Sequence, residues 1–194
     1  IFIIMRLFSF NKSFKSDKSN INNDQKAIVK FDYQTDIGFV LDSIVINWGD
    51  DRELIREKLN NQHKCDDRTI ELAQFFDGDE SQIIEQRRDI YKNYNGQENY
   101  FFFNYCLDGQ IKEIEFHWGI EIMINNIALR FGEQITTIVD RLADIDNKYK
   151  QIEEGNYLFP TLKMTISDSE HSGGDGHGFA CFYASENIDH LLDD

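Results

Sequence analysis

One proline, Pro160, stands among 194 residues. A chain so poor in proline has no extended Pro-rich hinge of the kind that spaces domains. Cysteine is scarce too. Cys65, Cys106 and Cys181 are odd in number and far apart. That excludes a disulfide framework and a short-spaced zinc motif, and it fits free thiols in a reducing compartment. No apolar run reaches the roughly 20 residues of a spanning helix. The start, Ile1-Phe-Ile-Ile-Met-Arg-Leu-Phe-Ser-Phe10, is apolar but short. With no basic residue before it and no small-residue cleavage site after it, it is not expected to be a signal peptide, and Met5 offers an alternative start. Positive charge is the largest deficit: 20 Lys+Arg face 35 Asp+Glu, a formal net charge of −15. The basic footprint of a nucleic-acid binder is missing.

What is present is a foldable, aromatic-rich body. Hydrophobic residues make up 41 %, with 16 Phe and 8 Tyr. That is too much apolar material for a disordered acidic tail, so the acid decorates a packed core. The charge is uneven. Residues 1–30 carry six basic and two acidic groups, and the rest carry 14 and 33. Such an excess opposes compaction, speeds encounter with basic partners and repels nucleic acid. The Lys/Ser/Asn-rich stretch 11–26 reads as part of a mobile N-terminal lead-in, residues 1–25. Residues 26–194 are expected to form a single domain.

Alternation marks strands at 27–33, 37–41 and 43–46, with a turn or bulge at Asp42. Asp50-Asp-Arg-Glu53 opens a short helix with Leu54, Ile55 and Leu59 on its buried side. Asp79-Glu-Ser-Gln82 predicts a second helix, on the spacing of Ile83, Ile84, Arg87, Ile90, Tyr91 and Tyr94, stopped at Asn95-Gly96. Segments 100–107 and 110–117 flank Asp108-Gly109, a hairpin signal. Strands 120–124 and 127–131 flank Asn125-Asn126. Ile135, Ile138, Val139, Leu142, Ile145 and Tyr149 form the cleanest helical stripe. Segments 157–166 and 178–184 read as final strands, and 186–192 as a terminal helix.

Ile44-Val-Ile-Asn-Trp-Gly49 followed by a helix mirrors Ile127-Ala-Leu-Arg-Phe-Gly132 followed by a helix. Each continues to an aromatic strand, Asn99-Tyr-Phe-Phe102 and Asn156-Tyr-Leu-Phe159. The expected fold class is α+β: a largely antiparallel β-sheet with helices mainly on one face, built from two β-α-β-β pseudo-repeats spanning about 37–117 and 120–192.

The most enzyme-like segment is Asp168-Ser-Glu-His-Ser-Gly-Gly-Asp-Gly-His-Gly178. Its His171, His177 and carboxylates are metal-ligand types. Its glycines argue against preorganisation, however, and it lacks the Gly-Lys-Ser/Thr end of a phosphate loop. A mobile or partner-ordered loop is expected there. Cys181 near His177 has the elements of a nucleophile pair, but a buried, inert thiol is the better reading for Cys181 and Cys106 alike. Asp77-Gly-Asp-Glu80 lacks the full calcium-loop pattern. His117-Trp118 reads as a half-buried strand end. Adjacent acids point to opposite faces of a strand and so make poor catalytic pairs. No catalytic residue, metal or cofactor is expected. The carboxylates in segments read as exposed are Asp66, Asp67, Asp77, Asp79, Glu80, Asp168, Glu170 and Asp175, and these are the expected partner-binding residues.

Ile46-Asn-Trp-Gly-Asp-Asp-Arg-Glu-Leu-Ile-Arg-Glu-Lys-Leu59 and Asn104-Tyr-Cys-Leu-Asp-Gly-Gln-Ile-Lys-Glu-Ile-Glu-Phe-His117 resemble small acidic bacterial immunity proteins. Those are encoded beside polymorphic toxins, including contact-dependent growth inhibition systems. The shared elements are a short helix after a strand-Gly turn and an aromatic-Tyr, Gly, Ile-Glu-Phe hairpin, within residues 40–120. The resemblance implies a cytoplasmic protein without enzymatic activity. It would bind a cognate toxin domain tightly and block its active site, with no nucleic acid or membrane as partner. A nuclease toxin fits best, because a phosphate-binding cleft is basic and an acidic protein mimics phosphate. The alternatives are a small hydrolase using His171 or His177 of loop 168–178, and an acidic adaptor.

Overall fold

The computed structural model describes residues 29–71 and 83–192. The expected lead-in, along with Asp77, Asp79 and Glu80, lies outside them. The fold is mostly antiparallel β-structure in two sheets. The first has the order β10-β9-β1-β2-β3, from β1 (Val29–Gln34), β2 (Gly38–Leu41), β3 (Ile44–Asn47), β9 (Ile120–Ile124) and β10 (Ile127–Arg130). Its β1–β9 pair is parallel. The second has the order β11-β12-β13-β14-β8-β7-β6-β4, with β5 also paired to β6. These strands are β4 (His63–Cys65), β5 (Arg68–Glu71), β6 (Ile83–Lys92), β7 (Tyr100–Tyr105), β8 (Ile111–Trp118), β11 (Lys150–Glu153), β12 (Asn156–Phe159), β13 (Met164–Asp168) and β14 (Phe179–Ser185). Helix α1 (Arg52–Lys58) follows β3, α2 (Ile135–Ala143) follows β10, and α3 (Asp189–Leu192) comes last. Among the described residues, no helix is long and apolar enough to cross a membrane.

The two sheets meet through phenyl rings. Phe31 of β1 lies 4.4 Å from Phe116 of β8 and 5.6 Å from Phe182 of β14, and Phe39 of β2 lies 5.3 Å from Phe103 of β7. All five are buried. Period-2 alternation explains this most simply on β1, where Val29, Phe31 and Tyr33 are buried and Lys30, Asp32 and Gln34 are exposed. Each ring of this size removes a large apolar area from water. The α2 stripe docks as its spacing predicts, with Ile135, Ile138, Val139 and Leu142 buried. On α1, Ile55 and Leu59 are buried, whereas Leu54 is 43 % exposed.

Two expectations change. Where the spacing predicts one sheet, there are two. The predicted second helix is strand β6, followed by a single 3-10 turn at Tyr94–Gly96. The isoleucines that set its helical spacing are not core residues: Ile83 is 59 % exposed, and Ile84 and Ile90 are half-buried. The buried positions are Gln86, Arg88, Asp89 and Tyr91. Polar side chains on both faces hid the strand period.

The halves make matching connections. Arg52 N donates to Gly109 O (2.9 Å) and Ile111 N to Asp50 O (3.0 Å). In the second half Ile135 N donates to His177 O (3.0 Å) and Phe179 N to Glu133 O (2.7 Å). The bridges Asp51–Gln110 and Gln134–Gly178 match likewise. Each half ends in a strand of the larger sheet, β8 or β14, and these two pair antiparallel at its centre. The two aromatic segments matched by sequence are not equivalent in this scheme. Residues 100–102 lie on β7, one strand from the centre, and 156–159 form β12, two strands out.

Candidate functional site

Two polar regions stand out. The first is built on the turn between β11 and β12. Gly155 takes a positive φ of 72° there, and a Cβ on it would lie 2.3 Å from Asp168 Oδ1. The Asp168 carboxylate therefore fills the space above the glycine. Asp168 N donates to Gly155 O (2.9 Å). Its carboxylate accepts from the His171 backbone N–H (2.8 Å) and pairs with His177 Nδ1 (3.0 Å). Ser169 N to Gly178 O and Glu170 N to Gly176 O close the loop. The segment read as mobile thus has a defined hydrogen-bonded path. Asp168, read as displayed, is 1 % exposed. It orders the loop from below, because a buried carboxylate must be hydrogen-bonded to be tolerated.

Around it lies an exposed acidic rim of Glu153, Glu154, Glu170 and Asp175. His177 Nδ1 is 3.5 Å from Glu170, and His171 Nδ1 is 3.6 Å from Glu153. The Asp168 hydrogen bond and the Glu170 charge raise the His177 pKa above its ordinary value. Among the described residues, the His177 ring meets only carboxylates. A His–Asp pair without a hydroxyl or thiol on the His is half of a nucleophilic relay.

Asp66 and Asp67 serve another purpose. Asp66 pairs with Arg68 (2.7 Å) and accepts from Gln86 Nε2 (3.1 Å). Asp67 accepts from Arg52 (2.8 Å) and from the Arg88 backbone N–H (3.1 Å). The Arg52 hydrogen bonds lower the Asp67 pKa to about 2. Arg52 and Arg56 also converge on Asp89, at 2.6 and 2.8 Å. Burial opposes the charge of Asp89, but its two guanidinium partners prevail and its pKa is lowered. These acids staple α1 and the β4–β5 segment to β6. Of the predicted partner-binding carboxylates within the described residues, only Glu170 and Asp175 share one exposed surface.

The second region lies on the outer face of the larger sheet, and the sequence did not single it out as a unit. The Arg88 guanidinium sits 4.0 Å over the Phe102 ring, and its Nε donates to Asn104 Oδ1 (2.9 Å). Asn104 Nδ2 donates to Glu113 (3.1 Å). Beside this chain, Glu115 and His117 of β8 and Cys181 of β14 bring their ligand atoms within 4.8 Å of one another. His117 Nε2 is 2.8 Å from Glu115 Oε1, and Cys181 Sγ is 3.6 Å from it. Burial raises the thiol pKa well above its ordinary value, and the Glu115 charge adds to that. Cys181 therefore meets His117, not His177. Cys106, read as buried, is exposed. The readable signal was Glu115-x-His117 on a strand, which puts both on one face. The position of Cys181 depended on a strand register that sequence does not give.

Compared with known protein families, curated proteins and solved structures, the chain matches none.

Proposed function

We propose that this chain is an immunity protein that neutralises a basic toxin domain in the cytoplasm, and that its acidic rim is the docking surface. The observation that carries this reading is a division of labour among its acids. The carboxylates Asp66, Asp67, Asp89 and Asp168, whether exposed like Asp67 or buried like Asp89 and Asp168, are paired within the fold. Glu153, Glu154, Glu170 and Asp175 crowd one exposed loop end instead. Like charges held together oppose folding unless a partner neutralises them. A cationic cleft does so, and a nuclease toxin carries one to hold phosphates. The net charge of −15 steers such a partner in. A hydrolase at this loop is the weaker reading, because His177 has no nucleophile beside it.

The test begins by seeking a basic toxin domain encoded beside this chain and measuring its binding. Association should slow steeply as salt rises. Replacing Glu153, Glu154, Glu170 and Asp175 by Gln or Asn should slow association by about tenfold or more and flatten that salt dependence, without lowering the melting temperature. Neutralising Asp66 and Asp67 should instead lower stability. An affinity indifferent to salt, or a toxin with an acidic contact surface, would sink the proposal.

A further inference from the structure

We infer that Glu115, His117 and Cys181 form a binding site for one divalent transition-metal ion, zinc in the first instance. Among the described residues, no other three His, Cys, Asp or Glu side chains converge as closely. The donors sit on rigid strands, not on a loop. Glu115 and His117 are two apart on β8 and so share a face. Phe182 pairs with Phe116 across the β8–β14 ladder. That register sets Cys181 beside His117, at the short spacing of a cross-strand pair. Zinc takes thiolate, imidazole and carboxylate donors at about 2.0–2.3 Å in tetrahedral array, which spaces the donors by roughly 3.3–3.6 Å. The Cys181–Glu115 separation of 3.6 Å matches, and the His117–Glu115 pair at 2.8 Å need open by only about 0.5 Å.

Supporting groups surround the triangle. The rings of Tyr100 and Phe102 lie 5.4 and 5.6 Å from His117 and fix its plane. Ser167 pairs with Cys181 in the β13–β14 register, which sets its hydroxyl on the same face of the sheet. Such neighbours set ligand orientation and basicity. Glu115 and His117 keep about a quarter of their side-chain surface exposed, which leaves an entry path and a fourth position for water. Binding releases the Cys181 proton, and the thiolate sulfur then donates an electron pair to the metal. A plain His–Glu hydrogen bond explains two of the three groups. In the metal-free protein the half-buried Cys181 thiol donates to Glu115 Oε1 at 3.6 Å, and a metal ion would take the place of that proton.

The full chain, stripped of metal by chelator, is titrated with zinc and separately with cobalt. One equivalent should bind. Cobalt should give the near-ultraviolet thiolate charge-transfer band and the visible bands of a tetrahedral ion. Zinc should protect Cys181 from a thiol reagent while the exposed Cys65 and Cys106 continue to react. Cys181→Ser and His117→Gln should each weaken zinc binding by more than about a hundredfold, and Ser167→Ala by about ten- to a hundredfold. Their metal-free melts should match the parent's, which separates ligand loss from misfolding. No stoichiometric binding at micromolar zinc would overturn the site. So would binding that survives Cys181→Ser and disappears when His171 and His177 are replaced, since the ion would then sit at the acidic loop.

Discussion

Gly155 and Asp168 show how one atom decides a local structure. The absence of a Cβ lets a carboxylate sit against the turn, and that carboxylate then organises ten residues of loop. Gly155→Ala forces both a strained positive φ and a collision with Asp168. It should cost about 1–3 kcal/mol, read as a lower denaturant midpoint at unchanged slope. An unchanged midpoint would mean that the carboxylate does not lie where it is described. Two pairs also give stability a pH signature of opposite signs. His177 is raised, so its pairing with Asp168 contributes fully below pH about 6.5 and is lost as pH rises through the higher folded value. Asp67 is lowered, so its contribution is present above the ordinary carboxylate range and is lost as pH falls toward about 2. Melts at stepped pH on the parent and on His177→Gln should show the high-pH loss disappearing in the variant.

At the scale of elements, α1 is too short to hold itself in place. Its seven residues are capped by Asp51, whose side chain accepts from Glu53 N at 2.8 Å. They are anchored by Ile55 in the core and by Arg52 and Arg56 on Asp89. Asp89→Ala leaves two guanidiniums facing each other in a half-buried site. It should cost about 3–5 kcal/mol in chemical denaturation. A loss under about 1 kcal/mol would show that solvent already screens the cluster. The same cluster shows where sequence reading fails. Elements whose apolar residues lie on one face, β1 and α2, were legible, and so was the β7–β8 hairpin from its aromatic run and Asp108-Gly109 turn. Strand β6 was not, because its core-facing Asp89 is polar by type and apolar only in company with two arginines from another element. Strands β4, β5 and β11 were missed because each has only three or four residues, with little pattern to read. The candidate sites divide the same way. Glu170 and Asp175 were found because exposure follows from local composition. Asp67 misled because its partners Arg52 and Arg88 are distant in sequence, Asp168 because its loop folds back over it, and the Glu115–His117–Cys181 grouping needed a register.

Across the whole molecule, the charge and the fold answer to different constraints. The acid excess sits outside a core made almost entirely of aromatic and branched residues. The exposed carboxylates are therefore free to vary without unfolding the body, which suits the docking role proposed for them. The paired ends of the two halves carry a further consequence. A chain severed at Gly119 would yield two polypeptides, one ending in β8 and carrying β1, the other carrying β9 and β14. Each would bare the strands that the other covers, along β1–β9 and along β8–β14. The pieces would be obligate mates, able to regain their shape only by recombining. Fragment complementation would be the natural reporter of that interlocking.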